Sequence, residues 1–321
     1  GSNARLGRGE WMVAEADESD RSFLKLFPTM AVVTNIDEEH LENYGGFEDL
    51  QQAFVDFANK VPFYGAVVAC VDDEVLARVV PRMTRRVTTY GLESAAADIG
   101  ASDVSLVAMR GSATVWRRSR LPGVSAERLG TLELSVPGRH NLQNALAAVA
   151  VGLELGLPFA RVAAGLAEFR GAERRFDVKG EPRGVLVVDD YGHHPTEVAA
   201  AIAAARQLQR RVVVAFQPHR YSRTAALLDQ FGPALAGADE VVVTDIYSAG
   251  EPPIAGVTLE ALAARMRQTL GGRLHVVPAL SEVVPELVRL VRSGDVVMTL
   301  GAGSIGTVPE RLVAALEGGQ A

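Results

Sequence analysis

The chain has 321 residues and a mass of 34.1 kDa, with 48% hydrophobic and 22% charged residues, which predicts two folded domains and excludes general disorder. Its net charge of −7 argues against nucleic acid as the main partner, and no apolar stretch is long enough to span a membrane. The single cysteine, Cys70, excludes an intrachain disulfide and a multi-cysteine metal site, and it fits a cytoplasmic protein.

The first half of the chain alternates strand and helix patterns and then turns to shorter strands. The predicted strands are 11–15, 31–35, 66–71, 105–109, 113–117 and 132–136. The predicted helices are 47–61, 73–80, 141–155 and 158–169. The last three strands are short and alternating, so we expect them to be small antiparallel strands at a sheet edge. The polar segment 170–183 then predicts a boundary between domains 1–170 and 171–321.

The second half has a regular rhythm of strands and helices. The predicted strands are 185–189, 212–216, 240–244, 274–277 and 296–300, and the predicted helices are 195–207, 224–236, 259–269, 281–291 and a final one. This alternation predicts an α/β fold with a mostly parallel sheet covered on both faces. Ligands bind such sheets at the carboxyl ends of the strands, where the polar clusters of this sequence lie.

Two acidic segments follow the first two predicted strands. One holds four acids between Glu15 and Asp20, and the other ends in His40. If the two strands are neighbours, Glu15 and His40 could bind a divalent metal that offsets the repulsion among the acids. The alternative is a solvated acidic loop that caps the next helix, with His40 as an ordinary surface or packing residue.

Side chains suited to nucleotide recognition open the predicted helix at 141. Asn141 and Asn144 lie three residues apart on one helical face, where their amides could read the edge of a base. The alternative is that Asn141 is only the N-cap of that helix.

Three clusters of the second half carry charge. Arg174 and Arg175 at the boundary either solubilise a linker or bind phosphates. Segment 189–196 (DDYGHHPT) is the densest titratable cluster of the chain and favours a function. Arg220 and Arg223 lie three apart at a predicted helix N-terminus, which suits an anionic group.

The segment Gly301–Gly306 (GAGSIG) matches the dinucleotide pattern G-x-G-x-x-G. Only 15 residues follow Gly306, which leaves no room for the second strand of the dinucleotide-binding unit. We therefore interpret it as a tight turn with close helix packing.

Taken together, the motifs resemble the Mur ligase superfamily over essentially the whole chain. They are AEADESD, TNIDEEH, PFYG, PGRHNLQN, RRF, VDDYGHHPTE, FQPHRYSRT, SAGEPPI and GAGSIG. The resemblance implies the remainder of a central ATP-binding domain followed by a Rossmann-like amino-acid-binding domain. It also implies ATP-dependent amide formation, in which a substrate carboxylate becomes an acyl phosphate that an amine then attacks. The implied substrates are UDP-N-acetylmuramate and L-alanine, in cytoplasmic peptidoglycan precursor synthesis.

The resemblance also implies roles for individual residues. It assigns Mg²⁺ to Glu15 and His40. It assigns ATP to His140, Asn141, Asn144, Arg174, Arg175 and Asp190, the last binding ribose or orienting Arg175. It places four catalytic residues at the muramoyl carboxylate and the alanine, with Tyr191 lining the same cleft: His193, His219, Arg220 and Arg223.

The sequence departs from the family in one respect. It has no G-x-x-G-K-[ST] phosphate loop, and it starts at Gly1 without Met. We therefore expect a fragment without the amino-terminal UDP-binding domain, which by itself lacks ligase activity and binds ATP weakly. Two alternatives stay open, namely a related ligase that attaches a preformed peptide and a non-catalytic nucleotide-binding module. Oligomeric state is not indicated.

Overall fold

The structure is a computed structural model that describes residues 4–121 and 123–318. It divides into two compact units. The first comprises the chain up to Ser102 together with Thr114–Gly130 and Gln143–Val162, and the second comprises Asp103–Ala113, Thr131–Leu142 and the chain from Ala163 onward. No helix within the described ranges has the length and hydropathy needed to cross a bilayer.

The first sheet has six strands in the order in which they occur along the chain. They are β1 (Met30–Val33), β2 (Ala66–Cys70), β3 (Val87–Gly91), β4 (Ile99–Val107), β5 (Arg110–Arg117) and β6 (Glu127–Leu134). The pairs β1–β2, β2–β3 and β3–β4 are parallel. The associated helices are α1 (Phe47–Asn59), α2 (Glu74–Val79), α3 (Arg139–Glu154) and α4 (Phe159–Glu168). Strands β4 to β6 lie at one end of the sheet, as predicted, but with 9, 8 and 8 residues they are longer than the small strands that the sequence predicted.

The second sheet has the order β11-β10-β9-β12-β8-β7. Its strands are β7 (Asp177–Gly180), β8 (Leu186–Asp190), β9 (Val212–Phe216), β10 (Glu240–Val243), β11 (Leu274–Val276) and β12 (Val296–Leu300). The helices are α5 (Pro195–Arg206), α6 (Tyr221–Ala226), α7 (Phe231–Leu235), α8 (Leu259–Leu270), α9 (Leu280–Leu290) and α10 (Val308–Gly318). All pairs are parallel except β7–β8. The α/β class and the mostly parallel sheet are thus confirmed.

Side-chain alternation divides the core of the second sheet into two layers. Val212, Val214 and Phe216 of β9 belong to one buried cluster, while Val213 and Ala215 belong to another. Successive side chains of a strand point to opposite faces, so a strand covered on both sides reads as a continuous apolar run. In the central strands β8, β9, β10 and β12, apolar side chains therefore fill the middle, and polar side chains such as Asp189, Asp190 and Thr299 lie near the strand ends.

Two predicted elements are wrong. No strand forms at 11–15 in the described chain, where Trp11, Met12 and Val13 are exposed, because a strand needs a neighbour to pair its backbone groups. The helix predicted over 224–236 is two short helices, α6 and α7. Pro233 has no N–H to bond to the carbonyl of Asp229 four residues earlier, so a continuous helix breaks before it, and Pro233 lies in the first turn of α7, where no such bond is needed.

Candidate active site

The carboxyl edge of the second sheet gathers most of the predicted site residues. Strands β8, β12 and β9 are neighbours and run in the same direction, so their carboxyl ends open at one edge. The loop 191–194 follows β8, segment 217–220 follows β9, and Gly301 follows β12. The parallel-sheet rule thus brings together segments up to 110 residues apart in the chain.

His193 lies at the start of α5, in a loop held by Glu197. Glu197 accepts hydrogen bonds from the backbone N–H groups of His193 (3.1 Å) and His194 (3.3 Å), forming a capping box with His194 as N-cap. The Nδ1 of His193 lies 3.0 Å from the carbonyl oxygen of Tyr191. A carbonyl can only accept, so Nδ1 carries a proton, and in the neutral ring Nε2 is the basic nitrogen.

His219 has the opposite tautomer. Its Nδ1 lies 3.2 Å from Nη1 of Arg223. An arginine only donates, so Nδ1 is the acceptor and the proton of the neutral ring is on Nε2. Burial and the charges of His193, Arg223 and Arg220 lower the pKa of His219 from 6.5 to about 4, so the ring is neutral at pH 7. The rings of His193 and His219 are 5.3 Å apart between centroids.

Arg220 combines backbone strain with an unsatisfied donor. Its φ is 67° and its ψ is 142°, a backbone conformation that residues other than glycine rarely adopt. Two hydrogen bonds hold this strained backbone. The N–H of Arg220 donates to the carbonyl oxygen of Tyr247 (2.8 Å), and Thr224 Oγ1 donates to the carbonyl oxygen of Arg220 (2.7 Å). Its Nε is buried and has no hydrogen-bond partner among the described residues. A buried guanidinium donor left open in this way fits an anionic ligand.

Glu251, within the SAGEPPI motif, is a site residue that sequence reasoning missed. Its carboxylate accepts hydrogen bonds from N–H (3.0 Å) and Oγ (2.7 Å) of Ser222, at the start of α6. Burial acts to raise the pKa of Glu251, but the Ser222 bonds and the charge of Arg220 lower it on balance. Its only sequence signal was an acid in a Gly- and Pro-rich loop, and the contact spans 29 residues.

The two boundary arginines are in different states. Arg174 forms an ion pair with the buried Asp189, whereas the Arg175 side chain is 53% exposed and touches Glu197 at 3.2 Å. The next acid, Asp190, accepts the backbone N–H groups of Phe176 and Gly192, both at 2.8 Å. Burial raises the pKa of Asp190 despite these two bonds. Of its two predicted roles, this arrangement favours orienting Arg175.

The glycines of segment 301–306 are explained by packing, as the sequence predicted. A Cβ on Gly301 would lie 2.7 Å from the carbonyl oxygen of Gln217, and one on Gly303 would lie 2.5 Å from the ring of Tyr247. A Cβ on Gly306 would lie 2.7 Å from the guanidinium carbon of Arg174. Protein atoms therefore occupy the space at each glycine.

Three further predicted residues lie at or near the start of α3. His140 packs on Gly138, and burial, with the charge of Arg175, lowers its pKa. Asn141 is not the N-cap, since α3 begins at Arg139 and the Asn141 amide donates to the Pro137 carbonyl (2.7 Å). The Asn144 side chain is exposed on the same helix.

The predicted metal ligands of the first unit are placed separately. His40 is grouped with Glu18 and Glu39, whose ligand atoms all lie within 4.8 Å of one another. Glu15 is exposed and lies outside this group. Two carboxylates and an imidazole are donors that suit a divalent cation, so the chemistry of the group fits a metal site. Glu15 as a ligand stays a prediction.

Comparison with known proteins agrees with the motifs. Residues 4–152 match the Mur ligase middle domain, and residues 174–303 match the Mur ligase glutamate ligase domain. The UDP-N-acetylmuramate–L-alanine ligase of Geotalea uraniireducens is 50% identical over 319 residues, which cover 99% of this chain and 68% of that protein. The enzyme of the same name from Geobacter sulfurreducens is 50% identical over 321 residues, again 99% and 68% of the two chains.

A solved structure is similar as well. The UDP-N-acetylmuramate–alanine ligase of Thermotoga maritima superposes with a TM-score of 0.76 at 29% identity, covering 95% of this chain and 63% of that one. The chain thus spans about two thirds of the length of these relatives. It belongs to the Mur ligase family, among the UDP-N-acetylmuramate–L-alanine ligases.

Proposed function

We propose that the protein containing this chain joins L-alanine to the lactyl carboxylate of UDP-N-acetylmuramate with ATP, as a cytoplasmic step of peptidoglycan precursor synthesis. The observation that carries the proposal is Arg220, whose strained backbone and open buried donor sit beside Arg223 and His219 at the carboxyl edge of the second sheet. Two arginines there suit the carboxylate of an amino acid and the oxygens of an acyl phosphate. Relatives about 50% identical carry the name of this activity.

The nucleotide side of the site uses other residues. ATP supplies the phosphoryl group that activates the carboxylate, and Mg²⁺ offsets the charge on the phosphates. We assign Mg²⁺ to His40 with the acids of its group, and we keep Glu15 as a further candidate ligand. Arg175 binds phosphate oxygens through its exposed guanidinium. His140, Asn141 and Asn144 bind on the adenine side.

The two histidines divide the proton chemistry of amide formation. His193 accepts a proton from the incoming amine at Nε2, since its Nδ1 already carries one. His219 stays neutral and donates from Nε2 to the oxyanion of the tetrahedral intermediate, while Arg223 fixes its tautomer. Arg220 and Arg223 bind the alanine carboxylate, and Tyr191, whose ring meets that of His193 edge-on, lines the site.

The proposal is tested by ADP release from the protein containing this chain, with UDP-N-acetylmuramate and a panel of amines. We expect release with L-alanine, and glycine and L-serine measure its selectivity. Preference for a preformed peptide would identify the related peptide ligase instead, and no release with any amine would favour the nucleotide-binding module. Arg206 is half-exposed at the carboxyl end of α5, away from His193 at the start of that helix. Arg206→Ala is therefore the matched control and should leave activity unchanged. The 321-residue chain by itself stays predicted to be inactive, and L-alanine-dependent ADP release by it would contradict this.

A further inference from the structure

Two adjacent acids at the end of β8 reach back to the segment that carries the boundary arginines. Asp189 is 1% exposed, and its Oδ2 pairs with Nε of Arg174 at 2.7 Å while its Oδ1 accepts from Thr299 Oγ1 at 2.6 Å. Asp190 accepts the backbone N–H of Phe176 at 2.8 Å. The two acids therefore hold the residues on either side of Arg175.

The Arg174 side chain makes several contacts within the protein. Besides Asp189, its Nη2 donates to the carbonyl oxygen of Gly301 at 2.7 Å, and its guanidinium fills the space left open at Gly306. Its own carbonyl accepts the backbone N–H of Tyr191 at 2.7 Å. Only 23% of the Arg174 side chain is exposed, against 53% for Arg175. A guanidinium paired in this way would have to give up a buried carboxylate to bind a phosphate, which is unfavourable.

The backbone of this segment needs such support. Arg174 has a φ of 56° and Phe176 a φ of 49°, so both neighbours of Arg175 are in the left-handed region. This conformation is unfavourable for a residue other than glycine. Without the two acids, the segment would relax to ordinary backbone angles and the Arg175 side chain would point elsewhere.

We propose that Arg174 is a positioning residue that, with Asp189 and Thr299, fixes segment 174–176 so that Arg175 faces the ATP phosphates. Arg174 therefore acts on the nucleotide only through Arg175. This inference rests on the proposed function, in which Arg175 binds ATP.

The test is a double-mutant cycle in the protein containing this chain, read as the dissociation constant of ATP by calorimetry and as KM for ATP. Arg174→Ala and Asp189→Asn should each weaken ATP binding about tenfold, because Arg175 is misplaced in both. The double variant should be no weaker than the weaker single variant, since both act through one pair. If Arg174 instead bound phosphate directly, Asp189→Asn would leave ATP binding unchanged or strengthen it, and the proposal would be overturned.

Two milder variants keep the test valid if Asp189→Asn does not fold. Thr299→Val removes only the hydroxyl that donates to Asp189, and Gly306→Ala presses a methyl group against the Arg174 guanidinium. Both should raise KM for ATP by a few-fold, with KM for L-alanine unchanged, and Arg174→Lys should restore part of the loss of Arg174→Ala. Unchanged ATP binding in both mild variants would refute the proposal.

Hydrogen exchange gives a readout independent of turnover. The amides of Phe176 and Tyr191, which bond to Asp190 and to the Arg174 carbonyl, should exchange faster in Arg174→Ala than in the Arg206→Ala control. Exchange as slow as in the control would contradict the positioning role. A wild-type protein that binds ATP but shows no alanine-dependent turnover would refute the proposed function, while the binding cycle would still decide this inference.

Discussion

The two ends of the second sheet differ in how fully their arginines are paired. At the amino end, Arg211 pairs with both Asp295 and Glu240 at 2.9 Å, and His275 lies between two carboxylates. At the carboxyl end, Arg174 is paired with Asp189, but Arg220 keeps a buried Nε without a partner among the described residues. The paired end serves stability and the open end serves ligands, although one sheet builds both.

Strained backbone occurs at both ends. Arg220, Arg174 and Phe176 have positive φ at the carboxyl end, where Asp189 and Asp190 hold the last two, while Arg183 and Gln209 have positive φ in the loops that lead into β8 and β9. Strained backbone persists where surrounding contacts fix it. The two ends therefore differ in pairing rather than in strain, and substitutions at them should separate stability from activity.

The largest expected effect is at the paired end. Asp295→Ala leaves the partly buried Arg211 without its buried carboxylate and removes the acceptor for the Arg292 N–H (3.0 Å). We expect the free energy of unfolding to fall by about 3 kcal/mol, measured by urea denaturation, because a broken buried ion pair leaves an uncompensated charge. kcat/KM for L-alanine should be unchanged below the melting temperature. A selective loss of activity would break the division between the two ends.

The next effect is at the open end and has the opposite pattern. Arg220→Ala should lower kcat/KM for L-alanine or UDP-N-acetylmuramate roughly 100-fold, since truncating a buried charged contact costs about 3 kcal/mol. Arg220→Gly should be equally inactive but more stable, because glycine relieves the positive φ by about 1 kcal/mol. Steady-state kinetics and thermal melts measure the two effects. Unaltered kinetic constants for both substrates would remove Arg220 from the site.

The sequence predicted the open end better than the paired one, for a physical reason. Apolar runs identify parallel strands, and the rule that ligands bind at their carboxyl ends then located His193, His219 and Arg220. Strand β3 was missed because it carries Val87, Thr88 and Thr89, which do not form an apolar run.

Partners across the fold were not predictable in the same way. The contacts of Glu251 with Ser222 and of Arg174 with Gly301 join segments 29 and 127 residues apart, and no local pattern encodes them. β7 (Asp177–Gly180) was also missed, because its polar sequence resembles a linker. It is the edge strand of the second sheet and pairs with β8.

The third effect concerns pH. The pKa of His219 is lowered from 6.5 to about 4 on folding, so between these values the unfolded chain binds more protons than the folded one. Stability therefore falls as pH drops from about 6.5 toward 4. The shift corresponds to about 3 kcal/mol, reduced to about 1–2 kcal/mol because the ring is partly exposed. Urea midpoints at pH 7 and pH 4.5 should differ less in His219→Gln than in the wild type, and equal differences would contradict a neutral His219.

The smallest effect tests whether exposure, rather than location at the paired end, decides how much an ion pair adds to the free energy of unfolding. Arg206 pairs with Asp239 at 2.8 Å, but its side chain is 49% exposed. Arg206→Ala should therefore cost only about 0.5 kcal/mol, and the difference from wild type should shrink further in 1 M salt. Asp239 keeps its bond from the Val212 N–H at 2.7 Å, so the start of β9 stays fixed in the variant. A loss as large as that of Asp295→Ala would mean that this pair, too, is part of the buried network, and denaturation at two salt concentrations measures the difference.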